Sequence, residues 1–206
     1  MLRDNTHMIS AAILAGGYSS RFGGIIKPNI VVGGEKIISR IICTIKDFFS
    51  EIIIVTNNPE EFSDFESYKL VKDIYLKSGP LGGIHAGMKT SSGEAVFVFA
   101  GDMPFLNRKI IEDLINGYTS LDHEIIVPKV GSLIEPLHAI YKVSLILKLE
   151  KFLSKGTNRS VRDFVAARDA FYCEFPADEV SRLAFTNINN QADIDRIQPF
   201  PGNNLD

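Results

Sequence analysis

Six consecutive apolar residues, Ala95 to Ala100, run between Glu94 and the pair Gly101-Asp102 in the stretch "EAVFVFAGDMPF". A run so short, uniformly apolar and rich in Val and Phe has no side to offer water, which is the pattern of a strand buried on both faces. The same kind of run recurs in "AAILAG" and "EIIIVTN", and more weakly in "YKLVKD". Between them lie helix-patterned stretches. From Ile37 to Phe49 the apolar residues 37, 38, 41, 42, 45, 48 and 49 follow helical spacing, and "GGIHAGMKTSS" reads as a short helix. Parallel neighbours need a crossover connection, so this alternation predicts an α/β fold with a mostly parallel, doubly wound sheet.

The last third is less regular. "HEIIVPKV", "LHAIYK" and "AFTNIN" read as strands, and "SLILKLEKFLS", "SVRDFVAA" and "QADIDRI" as helices. Gly33 and Gly34 mark a tight reversal before a helix. With 206 residues and no repeat or linker, a single domain over 1–206 is expected. Its nucleotide-binding part would cover about 9–120 and its substrate side about 121–206. A net charge of −3 supplies no basic field for nucleic acid or an acidic membrane. An anionic substrate would therefore meet a few local cations. The first ten residues lack the pattern of a signal peptide, and no run reaches membrane-spanning length, so a cytoplasmic setting is expected. Cys43 and Cys173 have no metal-ligand spacing and read as small buried hydrophobes.

In doubly wound sheets, ligands bind beyond the carboxyl ends of the strands. That rule selects the loops after Leu14, Val55, Val71 and Phe99. The first, "LAGGYSSRFGGIIKP", sets two glycine pairs around Arg21 and adds Lys27. Glycine amides can converge on phosphate oxygens, Arg21 offers a forked cation and Lys27 a mobile one. The loop is neither a Walker loop nor GxGxxG. A solvated turn fits the glycines alone, but the company of Arg21 favours phosphate binding. Asp102 stands just past the most apolar strand, where a carboxylate projects into the crevice. Magnesium takes one or two carboxylates together with substrate phosphates. Asn107 can cap the following helix, which leaves Asp102 for the metal. The glycines of "GPLGGI" either admit a flat base to the backbone or relieve steric pinch points. Asn57, Asn58 and Asp73 match the edges of a nucleobase and are also ordinary turn formers. His85, His123 and His138 share no spacing that would suggest a zinc site.

Read in order, "LAGGYSSRFGG..K", "GPLGGI", "AGDMPFL", "EPLHAIY" and "FTNINNQADI" resemble the molybdenum cofactor guanylyltransferase family over about Ile9 to Ile197. The first motif is shared by many nucleotidyltransferases, and the combination is narrower. The resemblance implies a Rossmann-like three-layer α/β/α fold of the nucleotide-diphospho-sugar transferase type. It implies transfer of GMP from GTP to molybdopterin carrying molybdenum, with release of pyrophosphate and magnesium as cofactor. Partners would be GTP and the molybdopterin-type cofactor, with a molybdoenzyme or another cofactor-biosynthesis protein downstream.

Carried over by position, Leu14, Ala15 and Gly16 contact the nucleotide, Gly17 and Arg21 lie beside its phosphates, and Lys27 is the family's loop lysine. Asn57, or its neighbour Asn58, is the base-contacting asparagine, Asp73 binds the nucleotide, Gly82 and Gly83 lie in the guanine-side loop, and Asp102 holds the metal. Lys27, Arg21 and Asp102 make up the catalytic set. Arg159, Asn187 and Asn189 fall on the pterin side. Two departures stand out. Ile26 replaces the acidic residue the family usually has before the lysine, and Glu135 precedes "PLHAIY" where a neutral or basic residue is common. A transferase using CTP or a sugar phosphate, and a non-catalytic nucleotide-binding homologue, are the alternatives.

Overall fold

Residues 8–16, 24–155 and 160–197 are described in the computed structural model of the chain. In chain order the first half comprises β1 (Ile9–Leu14), β2 (Val31–Val32), β3 (Glu35–Lys36), α1 (Ile37–Ile45), β4 (Ile52–Val55), β5 (Lys69–Val71), α2 (Pro80–Thr90) and β6 (Ala95–Ala100). The second half comprises α3 (Arg108–Ser120), β7 (Ile125–Val130), β8 (Leu133–Ile134), β9 (His138–Lys142), α4 (Ile146–Ser154), α5 (Val161–Ala166), β10 (Ala170–Phe175), α6 (Glu179–Ala184) and α7 (Gln191–Ile197).

The main sheet has the order β10-β7-β9-β6-β1-β4-β5, with β8 paired to β7. β1 runs parallel to β4 and β6, β4 to β5, and β7 to β10. β9 is inserted antiparallel between β6 and β7. Every long strand except β9 therefore ends on the same edge of the sheet, and β9 begins there.

The period of two along each strand sorts the core into two layers. Ile13, Ile54, Phe97, Phe99 and Ile140 face one side, which is covered by α1, α3 and the C-terminal residues Ala184, Ile188 and Ile194. Ala12, Ile53, Val96, Val98 and Tyr141 face the other, which is covered by α2, α4 and α5. The result is the three-layer α/β/α arrangement that the resemblance implies, around the mostly parallel sheet that the alternation predicts. Each Ile or Phe buried this completely contributes roughly 1.5–3 kcal/mol relative to exposure. α2 carries three glycines, each costing about 1 kcal/mol of helix propensity. They permit close docking instead, since a Cβ at Gly83 would lie 2.9 Å from Leu14 Cδ2 and one at Gly87 2.9 Å from Ala12 Cβ.

The structure corrects several readings. "AFTNIN" is not a strand: Ala184 ends α6 and Phe185–Asn190 is irregular chain. Ala184 and Ile188 are buried four residues apart with Asn187 exposed between them, so the segment lacks a strand's period of two. The strand in this part of the chain is β10, whose outer position leaves Tyr172 exposed and its pattern weak. The reversal expected at Gly33-Gly34 is present, as the turn of a small β2–β3 hairpin that leads into α1. Cys43 is exposed, and Cys173 is half-buried and packs against the core, so neither is fully buried. His138 is buried against Phe97, Phe99 and Phe185, and that burial holds its pKa down to about 3, leaving a neutral ring. Among the described residues, no helix is long and apolar enough to cross a membrane.

Candidate active site

A cleft of about 420 Å³ opens along the carboxyl edge of the sheet. Leu14 and Gly16 reach it from β1, Thr56 and Asn57 from β4, Asp73 from β5, and Gly101 and Asp102 from β6. Strand spacing sets its length. From β6 across β1 and β4 to β5 is three inter-strand steps, about 14 Å, a span suited to an extended nucleoside triphosphate.

One end is charged. Lys27 Nζ donates to Asp102 Oδ2 at 2.7 Å and to Asn189 Oδ1 at 2.6 Å. Local sequence explains why Lys27 points there. Ile26, Pro28 and Ile30 are buried, and a single 3₁₀ turn over Lys27–Asn29 closes through Ile30 N to Lys27 O at 3.0 Å. The chain is thereby nailed to the core on either side of the lysine. Ile26, the unexpected residue, is 2% exposed and belongs to the layer containing Phe97 and Phe99. An acid at that position would have to be buried, and Ile anchors the lysine by packing instead.

Gly101 completes the arrangement. A Cβ there would stand 2.6 Å from Pro28 Cγ and 2.7 Å from the Leu14 carbonyl oxygen. Only the absence of a side chain brings Asp102 beside Lys27. The C-terminal segment closes over this end, where Ile188 N donates to the Asp102 carbonyl at 2.9 Å.

The other end is rich in hydrogen-bonding groups. Asn57 Nδ2 donates to Asp73 Oδ2 at 3.0 Å, and Asp73 N donates to Asn57 Oδ1 at 3.0 Å. This reciprocal pair links the exits of β4 and β5. Burial pushes the Asp73 carboxyl above its ordinary range, against the pull of the Asn57 hydrogen bond. Asn58 lies outside the cleft lining and precedes the 3₁₀ turn at Pro59–Phe65. Gly79 enters α2 at φ 58°, ψ −148°, a conformation essentially confined to glycine. It lines the cleft together with Pro80 and Gly83.

Of the residues singled out in the sequence, Leu14, Gly16, Lys27, Asn57, Asp73, Gly83 and Asp102 line this cleft. Ala15 is fully buried beside it, and a Cβ on buried Gly82 would face the Tyr75 carbonyl at 2.8 Å. Asn189 reaches the cleft residues through Lys27, while Asn187 is exposed. Gly17, Arg21 and Arg159 lie outside the described residues. Asn107 does cap α3, its Oδ1 accepting from Ile110 N at 3.1 Å. Glu135 sits half-buried in the turn before β9, and burial holds its carboxyl above the usual range despite nearby Arg162.

Sequence reasoning passed over Thr56, Lys77 and Leu137, which also line the cleft. Lys77 adopts φ 60°, unusual for a residue with a side chain. No motif marks it, although its place just before Gly79-Pro80 was a usable signal.

The donor set bears on a metal. No group of three or more His, Cys, Asp or Glu gathers among the described residues, which excludes a preformed protein cage there. The Asp102 carboxylate, which lines the cleft beside Lys27, fits magnesium, which is commonly held by one or two carboxylates with phosphates completing its shell.

Comparison with known proteins bears on the fold and the family. The profile of the MobA-like NTP transferase domain matches residues 11–170. A probable molybdenum cofactor guanylyltransferase of Clostridium perfringens strain SM101 is 37% identical over 191 residues, covering 93% of each chain. The molybdenum cofactor guanylyltransferase of Desulfosudis oleivorans is 30% identical over 193 residues, covering 92% of this chain and 94% of its own. In three dimensions, molybdopterin-guanine dinucleotide biosynthesis protein A of Archaeoglobus fulgidus superposes with a TM-score of 0.78. It is 24% identical, with 93% of this chain and 97% of that one covered, a likeness that speaks to the fold.

Proposed function

This chain belongs to the MobA-like family of molybdenum cofactor guanylyltransferases, and we propose that it transfers GMP from GTP to molybdopterin carrying molybdenum, releasing pyrophosphate. The observation that carries the reading is the polarity of the cleft. Lys27 and Asp102 meet at one end, and the paired Asn57 and Asp73 stand at the other. A nucleotide laid along it puts its phosphates over the charged end and its base over the polar one.

The reaction is an in-line displacement at the α-phosphorus. A phosphate oxygen of the acceptor forms the new bond to phosphorus, the bond to the β-phosphate bridging oxygen breaks, and pyrophosphate leaves with the electron pair. The acceptor phosphate is already ionised, so no side chain need serve as nucleophile or base. The difficulty is bringing two anions together, which makes alignment and charge neutralisation the main tasks. Lys27 offsets charge developing on the transferring phosphoryl group, and Arg21 does the same beside the phosphates. Asp102 would hold magnesium, whose contribution when bound is to neutralise and orient phosphate oxygens. Asn57 and Asp73 offer an amide and a carboxylate to the donor and acceptor edge of guanine. Leu14, Ala15, Gly16 and Gly17 let the nucleotide approach the β1 exit, and Gly82 and Gly83 border the base. Arg159 and Asn187 serve the acceptor within the 121–206 part of a single domain, and a molybdoenzyme or another cofactor-biosynthesis protein takes the product.

Calorimetry with GTP and CTP, followed by pyrophosphate release with magnesium and the molybdenum-loaded cofactor, tests this. Tighter GTP binding and release are expected. Preference for CTP would move the protein to a sister activity, and GTP binding without release would make it a non-catalytic homologue.

A further inference from the structure

The Lys27 ammonium is shared by two acceptors of different character, the charged Asp102 Oδ2 at 2.7 Å and the neutral Asn189 Oδ1 at 2.6 Å. These acceptors are fixed to each other independently of the lysine, through Ile188 N to the Asp102 carbonyl. Asn189 has its own anchor as well. Its N–H donates to Asp193 Oδ2 at 2.8 Å, and Asn190 N donates to the same oxygen at 3.0 Å. Asp193 N returns a bond to Asn190 Oδ1 at 3.1 Å, which makes a reciprocal cap at the start of α7. The amide oxygen facing Lys27 is therefore set by the cap of a helix.

Asp102 is in demand from two cations. Its Oδ2 carries the Lys27 ammonium at a partly buried position where the two side chains are 26% and 20% exposed. A divalent ion placed on that carboxylate would stand against the ammonium, and like charges so close repel strongly away from bulk water. Phosphates change the balance, because their oxygens give both cations somewhere to bind. We infer that Lys27 and a divalent metal are alternative partners of Asp102 when nucleotide is absent. Asn189 is then the positioning residue that keeps the ammonium in the cleft once Asp102 releases it, and metal enters with the nucleotide. This rests on the assignment of Asp102 as the metal carboxylate.

The consequence is a coupling. Nucleotide raises metal affinity and metal raises nucleotide affinity by the same factor. Part of that factor is the cost of displacing Lys27, so removing the ammonium must improve metal binding to the free protein.

Manganese is a countable probe, since the free ion is read by electron paramagnetic resonance. It is titrated into the full chain without nucleotide, and again with a GTP analogue bearing a methylene bridge between the α- and β-phosphorus. Without nucleotide, Lys27→Met should bind manganese roughly tenfold more tightly than the unaltered protein, whereas Lys27→Arg, which keeps a cation, should remain weak. With the analogue bound, the advantage of Lys27→Met should disappear. Equal or weaker affinity of Lys27→Met without nucleotide would overturn the competition.

Asn189→Ala should lower kcat on the order of tenfold with KM for GTP and for the acceptor unchanged. A raised acceptor KM at constant kcat would make Asn189 an acceptor-binding residue and overturn its positioning role. Unaltered protein that releases no pyrophosphate overturns the transfer reading alone, because the manganese titration requires no turnover.

Discussion

At the amino edge of the sheet the Glu51 carboxylate is enclosed by its own neighbours, while at the carboxyl edge Asp73 and Asp102 face a cleft. Ser10 Oγ donates to Glu51 Oε2 at 2.5 Å, Ser92 N donates to the same oxygen at 2.8 Å, and Lys69 pairs with Oε1. Ser91 Oγ extends the chain by donating to Ser10 Oγ at 2.8 Å. Burial pushes the Glu51 carboxyl up, but hydrogen bonds from Lys69, Ser10 and Ser92 outweigh it and bring the pKa to about 2. Asp73 shows the reverse balance: burial wins and its pKa rises. The same strands thus carry a polar network that stabilises at one end and a polar cleft kept under electrostatic stress at the other. A carboxylate left without its full complement of donors costs stability and gains the capacity to bind.

The contrast can be broken most severely at Asp102. Asp102→Asn keeps the shape and removes the charge, and kcat should fall by about 10³ while the melting temperature holds. Steady-state kinetics beside a thermal melt would check this, and a large drop in melting temperature would instead make Asp102 part of the structural half.

Glu51→Gln should do the opposite. It should cost about 2 kcal/mol of stability by weakening charge-assisted hydrogen bonds, with kcat and KM unchanged. A carboxyl whose pKa is depressed on folding stabilises above its unfolded value and loses that contribution as pH falls. For Glu51 the loss should develop from pH 4.5 down to about 2, and denaturant melts across that range should show it blunted in the variant.

The smallest effect is expected at Asp73. Its raised pKa means the charged form opposes folding at neutral pH, and the penalty fades as pH falls. Asp73→Asn should therefore raise the melting temperature slightly while weakening GTP binding on the order of tenfold. A variant that gains stability and loses no affinity would remove Asp73 from the base site.

Much of this was legible in the chain. Ala95–Ala100 and Ile52–Val55 are apolar on every residue, short and rich in Val, Ile and Phe, which is the pattern of a strand between two helical layers. The central strands and their carboxyl-edge loops follow, and with them the placement of Asp102, Asn57 and Asp73. Elements at the periphery were harder. β10 is half-exposed along its length and sends no strong periodic signal, and the chain around Ile188 buries an isoleucine without pairing to the sheet.

The sequence by itself determined the class of fold, the edge where chemistry would occur and the residue types available there, because burial periodicity and strand exits are local properties of the chain. Tertiary structure alone decided that Asn189 holds Lys27 across 162 positions of sequence. It also decided that Ile26 serves as a core anchor and that Gly101 must lack a side chain because Pro28 and Leu14 close upon it. These are contacts between segments remote in sequence, fixed by how the layers pack, and no spacing along the chain encodes them.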